Sequence, residues 1–155
     1  MQTIKLKKLH PMAILPIYQT PGSNAVDIHA CIDTSFDIYP GETILVSTGF
    51  SMELPKGKAA LLIPRSGIGH KNGIVLGNLI GLIDSDYRGQ VFVSLWNRND
   101  WGNPSYPPAA KTFRVSPNDR IAQMMIIDIP QYNFQWANEI NETKRGESGF
   151  GSTNM

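Results

Sequence analysis

Apolar residues in this chain come in short bursts, and a turn signal stands before each burst. TILVST (residues 43–48) follows Pro40-Gly41, AALLI (59–63) follows Pro55-Lys56-Gly57, and GIVL (73–76) runs from Asn72-Gly73. QVFVSLW (90–96) follows Tyr87-Arg88-Gly89, and IAQMMII (121–127) follows Pro117-Asn118-Asp119. Runs of this length, rich in β-branched and aromatic residues and bounded by Gly, Pro, Asn and Asp, predict strands. Asn72-Gly73 is a strong tight-turn pair. Helical periodicity is nearly absent: residues 136–144 have room for a turn or two, and a turn after Arg65 is the other candidate. Many short strands joined by Gly/Pro turns predict a sandwich, a barrel or a jelly roll.

Several of these strands are apolar on both faces. Val91, Val93 and Leu95 share one face of their run, while Phe92 and Trp96 take the other. Ile121, Met125 and Ile127 share a face with Gln123, and Met124 and Ile126 lie opposite. Strands of this kind need cover on both sides. A homo-oligomer would supply it, and so would a thick sandwich core. Two stretches fall outside the pattern. Residues 99–112, NDWGNPSYPPAAKT, read as a long exposed loop. The chain from about Thr143 onward is polar and Gly/Ser-rich, and is expected to move unless something holds it.

Composition narrows the classes. The 155 residues fit one domain, and 41% hydrophobic with 17% charged residues is ordinary for a globular protein. The net charge of +1 gives no global field for nucleic acid. No apolar run approaches the roughly 18 residues that span a membrane. The N-terminal stretch is basic but broken by prolines, so it reads as mature protein and not as a signal peptide. Cys31 is the only cysteine, which points to a reducing compartment, the cytoplasm. His10, His29 and His70 show no metal-ligand spacing.

Four segments could carry chemistry. RGESGFGST (145–153) resembles part of a phosphate loop, but Ser152 stands where a nucleotide-triphosphatase loop needs lysine, and no helix follows. Its backbone N–H groups could still wrap phosphate oxygens, with Arg145 as a planar fork and Phe150 as a stacking face worth roughly 1–3 kcal/mol per base. A plain Gly/Ser terminus is the other reading. Arg65, Ser66 and Gly67 place a cation, a hydroxyl and a free N–H together, which suits a phosphate as well as an ordinary turn. In GNLIGLIDSDYRG (77–89), Asn78 interrupts an apolar run, and Asp84 ends a second one beside Leu82 and Ile83. A carboxylate there could act as a general base or simply shape the bend. Gln123 lies among apolar residues and needs hydrogen-bond partners if buried.

Taken in order, NAVDIHA (24–30), PRSG (64–67), GNLIGLIDSDYRG (77–89), RIAQ (120–123) and RGESGFGST (145–153) resemble the five motifs of the trimeric deoxyuridine triphosphatases (dUTP pyrophosphatases) of the bacterial type. The resemblance covers nearly the whole chain. It implies an all-β subunit, a distorted jelly-roll or β-clip-like fold with at most one short helix, and a homotrimer with active sites between subunits. Residues 1–144 would form the β domain, with the 99–112 loop as an insertion, and residues 145–155 a flexible arm closing a site on another subunit. The implied reaction converts dUTP and water to dUMP and pyrophosphate. It limits uracil incorporation into DNA and supplies dUMP for thymidylate synthesis.

Residue roles follow from the same resemblance. Asp84 matches the aspartate that activates the attacking water. Tyr87 matches the ring packed under the deoxyribose. Asn78, Gly81, Leu82 and Ile83 match the hairpin that reads uracil, and Phe92 lines that pocket. Arg65, Ser66 and Gly67 match a neighbour's phosphate-holding loop, and Gln123 a glutamine near the phosphates. Asp27 matches an acidic residue that supports Mg2+ through water, with no direct protein ligand. Arg145, Phe150, Gly151, Ser152 and Thr153 match the arm. No nucleic-acid or membrane partner is implied. Three positions depart from the family: Asn24-Ala25 replaces Ala-Gly, Ser148 replaces a glycine of the arm, and the 99–112 loop is longer than usual. The related dCTP deaminases need a glutamate near the base, and none lies between Glu53 and Glu139. A non-catalytic trimer that senses dUTP is the other class; the intact Asp84 and arm argue against it.

Overall fold

Strand-forming runs are short here because Gly and Pro close them, so the sheets are narrow. A computed structural model describes residues 3–100 and 111–147. Among these residues are eleven strands and one helix. They are β1 (Lys5–Lys8), β2 (Val26–His29), β3 (Phe36–Ile38), β4 (Thr43–Ser47), β5 (Phe50–Glu53), β6 (Lys58–Ile63), α1 (Ser66–Asn72), β7 (Ile74–Leu76), β8 (Gly81–Ile83), β9 (Phe92–Asn97), β10 (Phe113–Val115) and β11 (Arg120–Asp128). All pairings are antiparallel. The largest sheet runs β2-β11-β6-β8, a second runs β4-β9-β7, and β1-β5 and β10-β3 form two ribbons. This is the all-β architecture with one short helix that the sequence predicts. No helix among the described residues is long and apolar enough to cross a membrane.

Alternation fixes the core. Val91, Val93 and Leu95 are buried while Phe92 stays exposed, as the two-residue period of a strand requires. In β11, Ala122 and Met124 are buried and Ile126 packs on the core. Gln123, Met125 and Ile127 are half-buried on the other face. Ile121 differs: alternation puts it on the face of Gln123, Met125 and Ile127, yet it is buried. A register shift between Arg120 and Ala122 re-aims it, as an irregular ladder does. Large apolar side chains remain on the outside, among them Leu45, Leu79, Leu82 and Phe92 and, from the extended C-terminal stretch, Phe134 and Trp136. Apolar surface left exposed on this scale marks ligand or contact sites.

The tight turn at Asn72-Gly73 is present but closes a helix, and two other local expectations need correction. Gly73, at φ 72°, caps α1, and its N–H donates to the Ile68 carbonyl. This left-handed cap is glycine's other common use. Residues 136–144 form no helix, since few apolar positions there find a body to pack on. Residues 77–80 are not a ladder hairpin either: β7 pairs with β9 and β8 with β6, so the segment is a corner between two sheets.

Asn97, fully buried at the end of β9, organises one edge of the fold. Its Nδ2 donates to the carbonyls of Ile38 at 2.9 Å and Lys111 at 2.8 Å. Its Oδ1 accepts from the backbone N–H of Asn99 at 3.2 Å and from Asn99 Nδ2 at 2.7 Å. Most of the 99–112 loop lies outside the described residues.

Candidate active site

The corner 77–80 and the turn after β8 create one wall of a cavity. The Gly77 N–H donates to the Ser94 carbonyl at 2.9 Å, the Leu79 N–H to the Leu76 carbonyl at 3.0 Å, and the Ile80 N–H to the Asn78 carbonyl at 2.7 Å. Leu79 takes φ 62°, a conformation that costs a non-glycine residue about 1–3 kcal/mol and tends to sit at functional sites. The chain then enters β8, where Gly81 packs against Leu62. Asp84 follows at the strand end, exposed, and its carbonyl accepts the Tyr87 N–H at 3.2 Å.

These residues meet in a cavity of about 320 Å3. Asn78, Gly81, Leu82, Ile83, Asp84, Tyr87 and Phe92 all line it, so the structure gathers these predicted residues in one place. Gln90 also lines it and was given no role from sequence. The Tyr87 hydroxyl donates to the Gln90 carbonyl at 3.0 Å, and Gln90 Nε2 donates to Ser47 Oγ at 2.5 Å. The cavity therefore has apolar walls that include Leu62 and Val91, two amides (Asn78 and Gln90), one phenol and one carboxylate. This is the make-up of a small-molecule site. A larger hollow of about 580 Å3 adjoins it and shares Leu82 and Asp84, with Lys56 and Arg88 on its walls.

Arg65, Ser66, Gly67, Asp27 and Gln123 lie elsewhere in the chain and do not line the cavity. They form a second cluster of their own. In register, Gln123 of β11 stands between Asp27 of β2 and Ile63 of β6. Arg65 leaves the end of β6 and donates from Nε to Asp27 Oδ1 at 3.2 Å and from Nη1 to the Arg120 carbonyl at 3.0 Å. Arg120 Nη1 donates to Asp27 Oδ2 at 3.3 Å. Asp27 is buried, so two guanidiniums compensate one carboxylate out of water. Ser66 and Gly67 are exposed beside them at the start of α1. The Arg120–Asp27–Arg65 link escaped sequence reasoning, although a carboxylate inside the apolar run Val26-Asp27-Ile28 signals that a buried partner is needed.

His29 borders this cluster with its Nδ1 buried and without a hydrogen-bond partner. Burial holds its pKa below the ordinary imidazole value; Asp27 pushes it up, while Arg120 and Arg65 push it down. Cys31 Sγ lies 3.3 Å from His10 Nδ1. Burial, with help from Asp33, pushes the Cys31 thiol up, away from a reactive thiolate. Among the described residues, no three or more His, Cys, Asp or Glu side chains are grouped to hold a metal ion. Both Asp27 oxygens are engaged by arginine, which leaves neither free for direct ligation of a metal. Ala25, the methyl-bearing departure, has no positive φ and sits in the bend before β2 without strain. Near the C-terminus, the Gly146 N–H donates to the Thr143 carbonyl at 3.0 Å, which places Arg145 in a turn. Ser148, Phe150, Gly151, Ser152 and Thr153 lie outside the described residues.

Comparison with known proteins gives a consistent picture. A family model described as dUTPase matches residues 12–154. A deoxyuridine 5'-triphosphate nucleotidohydrolase of Laribacter hongkongensis is 51% identical over 139 residues, spanning 89% of this chain and 87% of that protein. The protein of that name from Nitrosomonas eutropha is 46% identical over 156 residues, spanning 99% and 98%. A solved dUTPase of Staphylococcus bacteriophage 80alpha with dUpNHpp superimposes at a TM-score of 0.87 over both full chains, at 22% identity, which shows a shared fold.

Proposed function

Since the chain belongs to the dUTPase family and is a dUTP diphosphatase, converting dUTP to dUMP and pyrophosphate, we propose that Asp84 steers the attacking water onto the α-phosphorus. The observation that supports this is the shared cavity: the Asp84 carboxylate opens onto the same space as Asn78, Gly81 and Tyr87. In this reading Asn78 and the β8 backbone hydrogen-bond uracil, and Leu82, Ile83 and Phe92 wall it. The Tyr87 ring lies under the deoxyribose, where a 2'-hydroxyl has no room. Asp84 accepts the proton of the water as its oxygen bonds to phosphorus, and the bond to the bridging oxygen breaks as pyrophosphate leaves. General-base help of this kind contributes about 10²–10⁴-fold.

Arg65, Ser66, Gly67 and Gln123 carry phosphate-binding chemistry but stand apart from the cavity of their own chain. We assign them to the triphosphate held in a neighbouring subunit's cavity, which makes the working unit a homotrimer. The apolar surface left open on the single chain agrees with this assembly. Residues 1–144 form the β domain, and residues 145–155 form an arm from another subunit. Arg145 and Ser152 would meet phosphates, Phe150 would stack on the base, and Gly151 and Thr153 would complete the closure. The reaction is metal-assisted. Mg2+ fits because it prefers phosphate oxygens and water to a protein cage, and Asp27 would touch only its water shell. When bound, the ion would neutralise charge on the triphosphate. The buried, unpaired Cys31 suits a reducing compartment, and we place the enzyme in the cytoplasm.

Pyrophosphate release measured with dUTP, UTP, dTTP and dCTP, with and without Mg2+, tests the reading. Strong preference for dUTP is expected. Asp84→Asn should lower kcat by about 10²–10⁴-fold while nucleotide still binds. Undiminished turnover in that variant would refute the role of Asp84, and ammonia from dCTP would overturn the reaction itself.

A further inference from the structure

Gly89 is exposed and has no positive φ, so its backbone conformation does not call for glycine. Space does. A Cβ built at this position would overlap the Oη and Cζ of Tyr87 and come within 2.9 Å of its Cε2. The phenol ring therefore lies directly on the one backbone position in its turn that lacks a side chain. Its hydroxyl then reaches one residue further to donate to the Gln90 carbonyl at 3.0 Å. Gln90 is itself tied to β4 through its side chain on Ser47 Oγ. The ring is thus seated from behind by Gly89 and anchored at its tip by a residue bound to a neighbouring strand.

We propose that Gly89 is a specificity-determining residue: by leaving room for the Tyr87 ring, it sets where that ring meets the sugar, and so the discrimination between dUTP and UTP. This rests on the reading above that Tyr87 lies under the deoxyribose. A methyl at position 89 must displace the ring, because the opposing atoms belong to a side chain and yield before backbone does. A ring pushed into the cavity spoils the fit of dUTP. A ring pushed out of it leaves room for a ribose hydroxyl. The outward displacement lowers the ratio of kcat/KM for dUTP to kcat/KM for UTP, and the inward one lowers kcat/KM for both nucleotides. A misplacement of ångström size changes rates roughly a hundredfold, so a fall of about ten- to a hundredfold in that ratio is expected from the outward one.

The test is steady-state pyrophosphate release from dUTP and UTP by Gly89→Ala, Tyr87→Phe, the double variant and Tyr87→Ala. Gly89→Ala should show the full fall in the ratio. Tyr87→Phe, which keeps the ring and loses the tether to Gln90, should show a smaller fall. The double variant should lose less than the product of the single effects, because the Oη that the new methyl strikes is gone. A parental ratio in Gly89→Ala, while Tyr87→Ala collapses the ratio, overturns the inference and leaves the Tyr87 reading standing. A parental ratio in Tyr87→Ala removes the Tyr87 reading itself. If Gly89→Ala does not fold, the Tyr87→Phe ratio decides, and an unchanged value there refutes the seating.

Discussion

Replacing Asp27 with asparagine tests the charge cluster of β2 and β11. Asparagine keeps the shape, removes the charge and turns one oxygen into an amide that faces a guanidinium donor. Two contacts are at stake, Arg65 Nε at 3.2 Å and Arg120 Nη1 at 3.3 Å. A hydrogen bond to a charged group contributes about 1.5–3 kcal/mol. The Arg120 side chain is 50% exposed and can turn to water, so its share is small. The Arg65 side chain is 23% exposed and the Asp27 side chain 5%, so this contact bears most of the loss. The sum is about 2–4 kcal/mol. For a chain of this length each kcal/mol moves Tm by about 2–4 °C, which gives a fall on the order of 5–15 °C. Urea and thermal unfolding followed by tryptophan fluorescence will measure it. Pyrophosphate-release assays should show KM for dUTP rising more than kcat falls, because Arg65 loses the group that aims it. Stability within about 0.5 kcal/mol of the parent, the scale of a neutral surface change, would refute the clamp. A weakened response to Mg2+ with an unchanged melt would show that Asp27 acts through the metal instead.

Two further outcomes can be checked. The folded pKa of His29 is depressed, chiefly by burial. Its neutral form is therefore favoured in the folded state, and its stability contribution is complete above the free imidazole value of about 6.5. That contribution is lost as pH falls below this value towards the folded pKa, since the unfolded chain then binds more protons. Denaturation across pH 5–8 (a range of about three units around the imidazole value) should show this acid-side loss, and His29→Asn should flatten it; identical slopes would remove the assignment. Deleting residues 145–155 should abolish most turnover and leave the oligomer intact by light scattering; dissociation on deletion would refute the arm.

Legibility in the sequence followed the size of the physical signal. β4, β6, β7, β9 and β11 are apolar runs that follow turn signals, and all five stand where the pattern puts them. β1, with LKK after Lys5, and the three-residue β3 and β10 carry too few apolar residues to stand out; their pairings come from partners far along the chain. Asn72-Gly73 marked a turn without fixing its kind, because the left-handed glycine that closes a hairpin also closes a helix. In the site, the cavity residues singled out from sequence lie close together, from Asn78 to Phe92, so their meeting was legible, whereas the Leu45 and Leu62 walls come from distant strands. The Asp27 clamp was not legible, because it joins residues 38 and 93 positions apart. Gly89 read only as part of a turn: its importance is the space it leaves, and a missing side chain writes nothing into a hydrophobic pattern.

Asn97 has a consequence for how this protein can vary. One amide grips the chain where it departs at Asn99 and where it returns at Lys111. The stem is closed by that clasp whatever hangs beyond it, and the cost of closing a longer span grows only slowly with length. Foreign peptide grafted between those two positions, an epitope or a reporter tag, should therefore leave the β-scaffold and its chemistry untouched.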